Sequence, residues 1–174
     1  YDSADYYYIN KSSLPKVYGG FNTSLSWKGF DLSAIFAYSI GGYIYNRDIT
    51  MILHNGSLEG RDWSTEILKR WTPDNRYTDV PALSTTSNDW NSASTRFLQN
   101  NSYMRLKNLT LSYNLPKQWI SKLSLSSVQV YVQGDNLFTI HRNQGLDPEQ
   151  GITGITYYRY PAMRTISGGI NVSF

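Results

Sequence analysis

Apolar and polar residues alternate with a period of two over several stretches of this chain, and helix-period runs are scarce, so the pattern predicts strands. Five are expected. The first spans Val17 to Trp27, with Phe21, Leu25 and Trp27 on one face beside Thr23, and Asn22, Ser24 and Ser26 on the other. Lys28-Gly29 then reads as a tight hairpin turn. The second strand starts at Phe30 and places Phe30, Leu32, Ala34, Phe36, Tyr38 and Ile40 on one face; the opposite face is less polar at its centre, where Ile35 and Ala37 fall. The third lies within SYMRLKNLTLSYNLP, where Leu109, Leu111, Tyr113 and Leu115 alternate with Asn108, Thr110, Ser112 and Asn114. Its pattern slips between Arg105 and Lys107, which suggests a β-bulge. The fourth runs from Val128 to about Ile140, with Val128, Val130 and Val132 opposite Gln129, Tyr131 and Gln133. The fifth closes the sequence: Ile166, Ile170, Val172 and Phe174 share a face with Gly168.

Alternation alone does not separate a soluble sandwich from a membrane barrel. Strand length and loop asymmetry do. The predicted strands run about 9 to 13 residues, against a mode of ~5–6 in globular proteins, and a strand crossing a bilayer needs ~9–11. The connections between them are in turn two residues, about sixty, about eleven and about twenty, and outer-membrane barrels alternate short periplasmic turns with long external loops. Placing the C-terminus in the periplasm puts the Lys28-Gly29 turn and the Pro116 connection there, and sends the long loops, about 41–102 and 141–160, outside. The expected fold class is all-β: a transmembrane antiparallel β-barrel of which only the C-terminal strands, about five, are present. An isolated five-stranded sheet would leave unpaired edges in lipid, each backbone group costing several kcal/mol. The remaining strands are therefore expected from a longer protein to which this segment belongs, or from another chain. Residues 1–16 remain unassigned, and residues 17–174 form the barrel segment.

Composition sharpens this picture. The chain of 174 residues holds 15 Tyr, 5 Trp and 6 Phe. Tyr and Trp suit interfaces, being apolar on one side and polar at the tip. The topology gathers Trp27, Phe30, Tyr113, Trp119 and Phe174 at the periplasmic boundary, and Tyr38, Tyr43, Tyr45, Tyr103, Phe138 and Tyr160 at the outer one, as two aromatic girdles. Arg164 shares the apolar parity of the last strand but lies near the outer interface, where a charge costs only ~0–1 kcal/mol. Net charge is +3 with no basic stripe, which argues against nucleic acid as a partner. There is no cysteine, so disulfides and thiolate-ligated metals are excluded. No run of ~18 apolar residues predicts a membrane-spanning helix.

Five segments in order resemble the C-terminal part of SusC/RagA-type TonB-dependent transporters of the Bacteroidetes outer membrane. They are RWTPDNRYTDVPAL (Arg70 to Leu83), STRFLQNNSYMRLKNLTLSYNLP (Ser94 to Pro116), VYVQGDNLFTI (Val130 to Ile140), GLDPEQ (Gly145 to Gln150) and YPAMRTISGGINVSF (Tyr160 to Phe174). The resemblance covers about Val17 to Phe174. It implies a large plugged barrel, with an N-terminal plug and a TonB-contacting segment elsewhere in the protein. It also implies a SusD-like surface lipoprotein as lid, outer-membrane lipid around the wall, and an oligosaccharide or peptide as cargo. The period-two trio Ile170, Val172 and Phe174 resembles the signal read by the barrel-assembly machinery; the plain alternative is a strand closed by a girdle aromatic.

The aromatics of the predicted external loops, Trp63, Trp71, Tyr77 and Trp90 in the first and Tyr157 and Tyr158 in the second, are the candidates for contact with cargo, because aromatic faces stack on sugar rings. Loop packing or contact with the lid is the competing reading. Asp147 and Glu149, separated by Pro148, fit a fixed turn rather than a Ca²⁺ site, which needs six to eight oxygens. His54 and His141 stand alone and read as loop residues. Catalytic, metal and cofactor sites are not expected. A soluble carbohydrate-binding β-sandwich is the alternative function, and a glycan-active enzyme, lacking a convergent acid pair, is the third.

Overall fold

A computed structural model describes residues 6–56, 58, 60–84, 86, 91–143, 145, 147–149 and 151–174. The strands in chain order are β1 (Val17–Trp27), β2 (Phe30–Ile40), β3 (Tyr43–Tyr45), β4 (Leu98–Asn100), β5 (Tyr103–Asn114), β6 (Ser127–His141) and β7 (Thr165–Ser173). The chain divides into two compact units: residues 1–14, 43–100 and 150–159, and residues 15–42, 101–149 and 160–174.

The second unit is a five-stranded antiparallel sheet in the order β1-β2-β5-β6-β7. Its register aligns the alternating residues into rows. Trp27, Phe30, Tyr113, Val130 and Ile170 form one apolar row; Leu25, Leu32, Leu111, Val132 and Gly168 the next. Between them runs the row Ser26, Asp31, Ser112, Tyr131 and Gly169, and past the second apolar row comes the polar row Ser24, Ser33, Thr110, Gln133 and Ser167. A one-residue slip would move every side chain to the wrong face, so the register is tightly specified. Side-chain hydrogen bonds lace the polar face: Asn108 Nδ2 donates to Asp135 (2.7 Å), Asn114 Nδ2 to Asp31 (2.7 Å) and Gln129 Nε2 to Ser112 (3.3 Å). The apolar face is exposed from Phe21 and Leu25 across to Ile166 and Ile170. An apolar surface of this extent marks a contact with another apolar phase. Eleven-residue strands such as β1 are about 36 Å long and, tilted by ~45°, present a band about 25 Å tall, the height of a barrel's apolar belt.

The turn between β1 and β2 has Lys28 at φ 48° and Gly29 at φ 88°, the two positive φ values that a type I′ hairpin needs. A Cβ on Gly29 would lie 3.1 Å from the Asn114 carbonyl oxygen. Pro116 follows β5 and opens the short connection to β6. This connection contains the single-turn helix Lys117–Ile120 and is closed by a left-handed Ser124 (φ 57°). Aromatic pairing holds the hairpin end: the Phe30 and Tyr113 rings lie 4.5 Å apart, and the Lys28 ammonium lies 4.9 Å over Trp27.

The expected slip near Arg105 to Lys107 is a bulge. Pairing of β5 with both neighbours shifts between Leu106 and Asn108; against β2, where Ile35 and Phe36 are consecutive, Lys107 is the extra residue. On β6 two residues, Asn136 and Leu137, stand opposite Lys107, and Asn136 has a φ of 51°, which Asn tolerates better than most residues. As a result Met104 and Leu106 continue the apolar face, while Arg105 and Tyr103 join the polar one beside Ala37 and Ser39. Tyr103 is therefore not a member of the outer apolar-face girdle. Arg164 precedes β7, which begins at Thr165.

Residues 43–100, most of the region without a long period, belong to the first unit and carry its short elements. β3 pairs with β4, and Ile44 is fully buried. A six-residue helix, α1 (Arg47–Ile52), is capped by the buried Asn46, whose side chain accepts from the Ile49 N–H at 3.1 Å. A 3₁₀ turn at Thr65–Lys69 is capped by Ser64. Ile67, Val80 and Phe97 are buried. Residues 6–14 join this unit: Ser12 accepts from the Tyr43 N–H (2.9 Å), and Ser13 donates to the Ile152 carbonyl (2.9 Å). Among the described residues no helix is long and apolar enough to cross a membrane, which leaves crossing by strands untouched.

Candidate functional site

The polar face of the sheet carries one dense ionic cluster. The bulge turns Arg105 onto this face, where its side chain is only 4% exposed. Its Nε donates to Thr139 Oγ1 (2.8 Å), Nη1 to Glu149 (2.8 Å) and Nη2 to Asp147. Lys107 Nζ also reaches Glu149. Asp147 accepts from the backbone N–H groups of Glu149 (2.9 Å) and Ala162 (2.6 Å). Pro148, between the two carboxylates, is buried, and its carbonyl accepts from Asn101 Nδ2 at 2.8 Å. Burial alone would raise the Asp147 carboxyl above the usual range; the Ala162 and Glu149 amides and the Arg105 guanidinium outweigh it and hold the carboxyl below that range.

Asp147 and Glu149 are thus structural, as their spacing around Pro148 suggests. Both are directed at the cations of β5, and Asp147 also holds the Ala162 amide of the segment that returns to β7. A cleft of about 470 Å³ beside this clamp is lined by Arg105, Asp147, Ala162 and Arg164 among others. Arg105 is already committed to two carboxylates there.

The described candidate cargo aromatics lie in the first unit. Trp63 is half-exposed, and its Nε1–H donates to His54 Nδ1 at 3.0 Å, with the rings edge-to-face at 5.3 Å. The Trp71 backbone is bonded to Val80 (2.8 Å) while its ring stays part-exposed. Tyr77 is fully exposed. Trp90 lies outside the described residues. Tyr157 and Tyr158 come together as a T-shaped pair with centroids 5.2 Å apart, and the Arg47 guanidinium lies 5.2 Å over the Tyr157 ring. His54 lies in a loop and is buried, and its Nδ1 accepts from the Gly56 and Leu58 amides as well as from Trp63. It organises its loop. Arg47 and Arg105 carry no motif of their own in the sequence. The signals available for Arg105 were the slip in alternation beside it and a D-P-E turn in need of a cation.

Ile170 and Val172 of β7 lie on the apolar face opposite Val130 and Val128. Phe174, just past the strand, is exposed. Among the described residues no group of three or more His, Cys, Asp and Glu could hold a metal ion.

A single antiparallel sheet, apolar on one exposed face and hydrogen-bonded on a polar one, defines a segment of a transmembrane β-barrel wall; as part of a barrel, the sheet is not closed. Comparisons with known proteins agree. No family model matches the chain. TonB-dependent receptor P3 of Formosa agariphila is 34% identical over 166 residues, 89% of this chain and 16% of that protein. SusC of Bacteroides thetaiotaomicron, a TonB-dependent receptor, is 29% identical over 174 residues, 99% of this chain and 16% of that protein. A chain of the RagAB peptide importer in its open-open state superposes with a TM-score of 0.86 at 35% identity, over 100% of this chain and 19% of that one. Over nearly its whole length the chain is similar to part of the TonB-dependent receptors of SusC/RagA type. It spans about a sixth of the length of the curated relatives it matches. These relatives are receptors and an importer rather than enzymes, and they do not favour a soluble sugar-binding sandwich.

Proposed function

We propose that this chain forms the C-terminal wall of an outer-membrane barrel that imports oligosaccharides or peptides, driven through TonB. The observation that carries the reading is the row register: apolar rows across five strands form a lipid-facing belt, and polar rows form a lumen wall. In this arrangement the β1–β2 turn and the connection after β5 lie in the periplasm with the C-terminus. The segments after β2 and β6 lie outside, where Trp63, Trp71, Tyr77, Trp90, Tyr157 and Tyr158 contact cargo or a SusD-like lipoprotein lid. The plug, the TonB-contacting segment and the remaining strands belong to the rest of the receptor. Ile170, Val172 and Phe174 present the apolar alternation that the barrel-assembly machinery reads. Similarity to SusC and to the RagAB peptide importer supports the cargo class and the lid.

The test is a comparison of boiled and unboiled gels of the native protein extracted from outer membranes, probed for this segment. A boiled band far above 19.9 kDa that migrates differently unboiled is expected. A band near that mass without a heat shift would overturn the reading of one closed barrel.

A further inference from the structure

We infer that Arg47, Tyr157 and Tyr158 form a preorganised subsite for a carboxylate carried beside a flat, carbon-rich face. The inference rests on the import reading and adds the chemistry of one contact.

The two tyrosine rings are exposed, yet the backbone beneath them is fixed. Tyr45 donates its N–H to Gly154 (2.7 Å) and accepts from the Thr156 N–H (3.1 Å), which joins the end of β3 to residues 154–156. The Thr156 hydroxyl accepts from the Arg47 N–H at 3.1 Å, and Thr50 Oγ1 donates to the Arg47 carbonyl at 2.6 Å. Asn46 is 0% and Thr156 1% exposed, so this polar node is sealed from water. Above it, Tyr158 holds a left-handed backbone (φ 44°) with its N–H bonded to Asp48 Oδ1 at 3.0 Å. A bulky residue rarely adopts that conformation, and such strain persists only where its surroundings enforce it. Here it presents Tyr158 against Tyr157, both more than half exposed. A merely space-filling aromatic would have been packed inward.

The chemistry follows from the groups. The Arg47 guanidinium lies over the Tyr157 ring on an exposed side chain, and a guanidinium carries five N–H donors. A guanidinium rim matches a carboxylate in bidentate fashion. The tyrosine faces accept the apolar side of a sugar ring or a side chain. Asp48, the nearest acid in sequence, spends an oxygen on the Tyr158 amide, and Arg159 follows directly in sequence as a second exposed cation. Because ordering is already built in, little conformational entropy is lost on binding. The carboxylate has two sources, a uronic acid residue or a peptide terminus, with the same recognition chemistry.

The test is isothermal titration of the detergent-purified full-length receptor with four probes. They are trigalacturonate, its methyl ester, a tetrapeptide with a free C-terminus, and the same peptide as its amide. One acid form is expected to bind at least tenfold tighter than its neutral derivative, and the pair that shows the difference identifies the source. Arg47→Gln should lose about tenfold for the acid and nothing for the neutral form; Tyr157→Ala should weaken both, and Tyr157→Phe should restore both. Equal binding of acid and neutral forms, unchanged acid binding by Arg47→Gln, or no binding by the parent protein each overturns the inference. A heat-shifted gel band from the same preparation separates these failures from failure of the barrel reading.

Discussion

Removing Arg105 is the most informative perturbation of the wall. Its guanidinium is the shared partner of Asp147 and Glu149, and Asp147 is 7% exposed. Breaking a buried pair by deleting one partner costs ~3–5 kcal/mol, because the other charge stays behind. The lower end applies to this pair. Glu149 retains Lys107 and is partly solvated, and Asp147 retains two backbone N–H donors. Arg105→Met should therefore ease opening of the clamp by ~3 kcal/mol, which is roughly a 100- to 200-fold rise in its open population. The effect is local, so the assay is hydrogen–deuterium exchange of the Glu149 and Ala162 amides in the full receptor, where protection tracks local opening. The amides should exchange faster by that factor, while those of β1 and β2 remain unchanged. Pairing the change with Asp147→Asn removes the stranded charge. The double variant should exchange more slowly than Arg105→Met alone, with a coupling of about 2 kcal/mol between residues that share one network. Unaltered protection in Arg105→Met, or strictly additive effects, would refute the assignment of the clamp.

Three further outcomes are expected. Because the Asp147 carboxyl is held below its usual range in the folded state, its contribution is fully present above about pH 4, the ordinary carboxylate value, and is lost as pH falls through the lower folded value; amide exchange at Ala162 should therefore accelerate beyond the intrinsic pH trend only below about pH 4. Gly169 lies under Tyr131, where a Cβ would meet the phenol oxygen at 2.7 Å, so Gly169→Val should destabilise the β6–β7 pairing by ~1–3 kcal/mol, visible as a lower temperature for loss of the gel heat shift and recovered by adding Tyr131→Ser. Trp63→Phe keeps a ring but removes the donor to His54 Nδ1; a loss of ~1 kcal/mol in local protection around residues 54–58 is expected, and none would show that the contact is incidental.

Much of the wall was legible in the sequence because a barrel strand is long and has two unlike environments. Val17–Trp27 and Phe30–Ile40 have the predicted bounds, and the slip beside Arg105 marked the bulge. The first unit was not legible for the opposite reason. Its elements are three to six residues long, too short for a period to emerge. They are held by side-chain caps and long-range bonds such as Thr156 to Arg47, which leave no local pattern. The part His54 plays in its loop left no trace in the sequence because its partners are backbone amides and an indole, neither of which forms a recognisable spacing. The clamp was half visible: the carboxylates read correctly as a turn, and their cation lay forty-two residues away from Asp147.

The bulge at Lys107 also divides β5 into two stretches with opposite tolerance to charge. Towards the hairpin end, Leu109, Leu111 and Tyr113 occupy the apolar rows, so odd-numbered positions resist a charged replacement and even-numbered ones accept it. Beyond the bulge, Met104 and Leu106 take over the apolar rows, and the rule changes sign. A lysine or arginine in the lipid-facing belt costs ~2–4 kcal/mol near the midplane and little at its rims. A scan of charges along these twelve residues would trace a sawtooth whose phase reverses once. The reversal falls where Arg105 is turned inward, so that one extra residue in the strand keeps a buried cation of the wall out of the lipid.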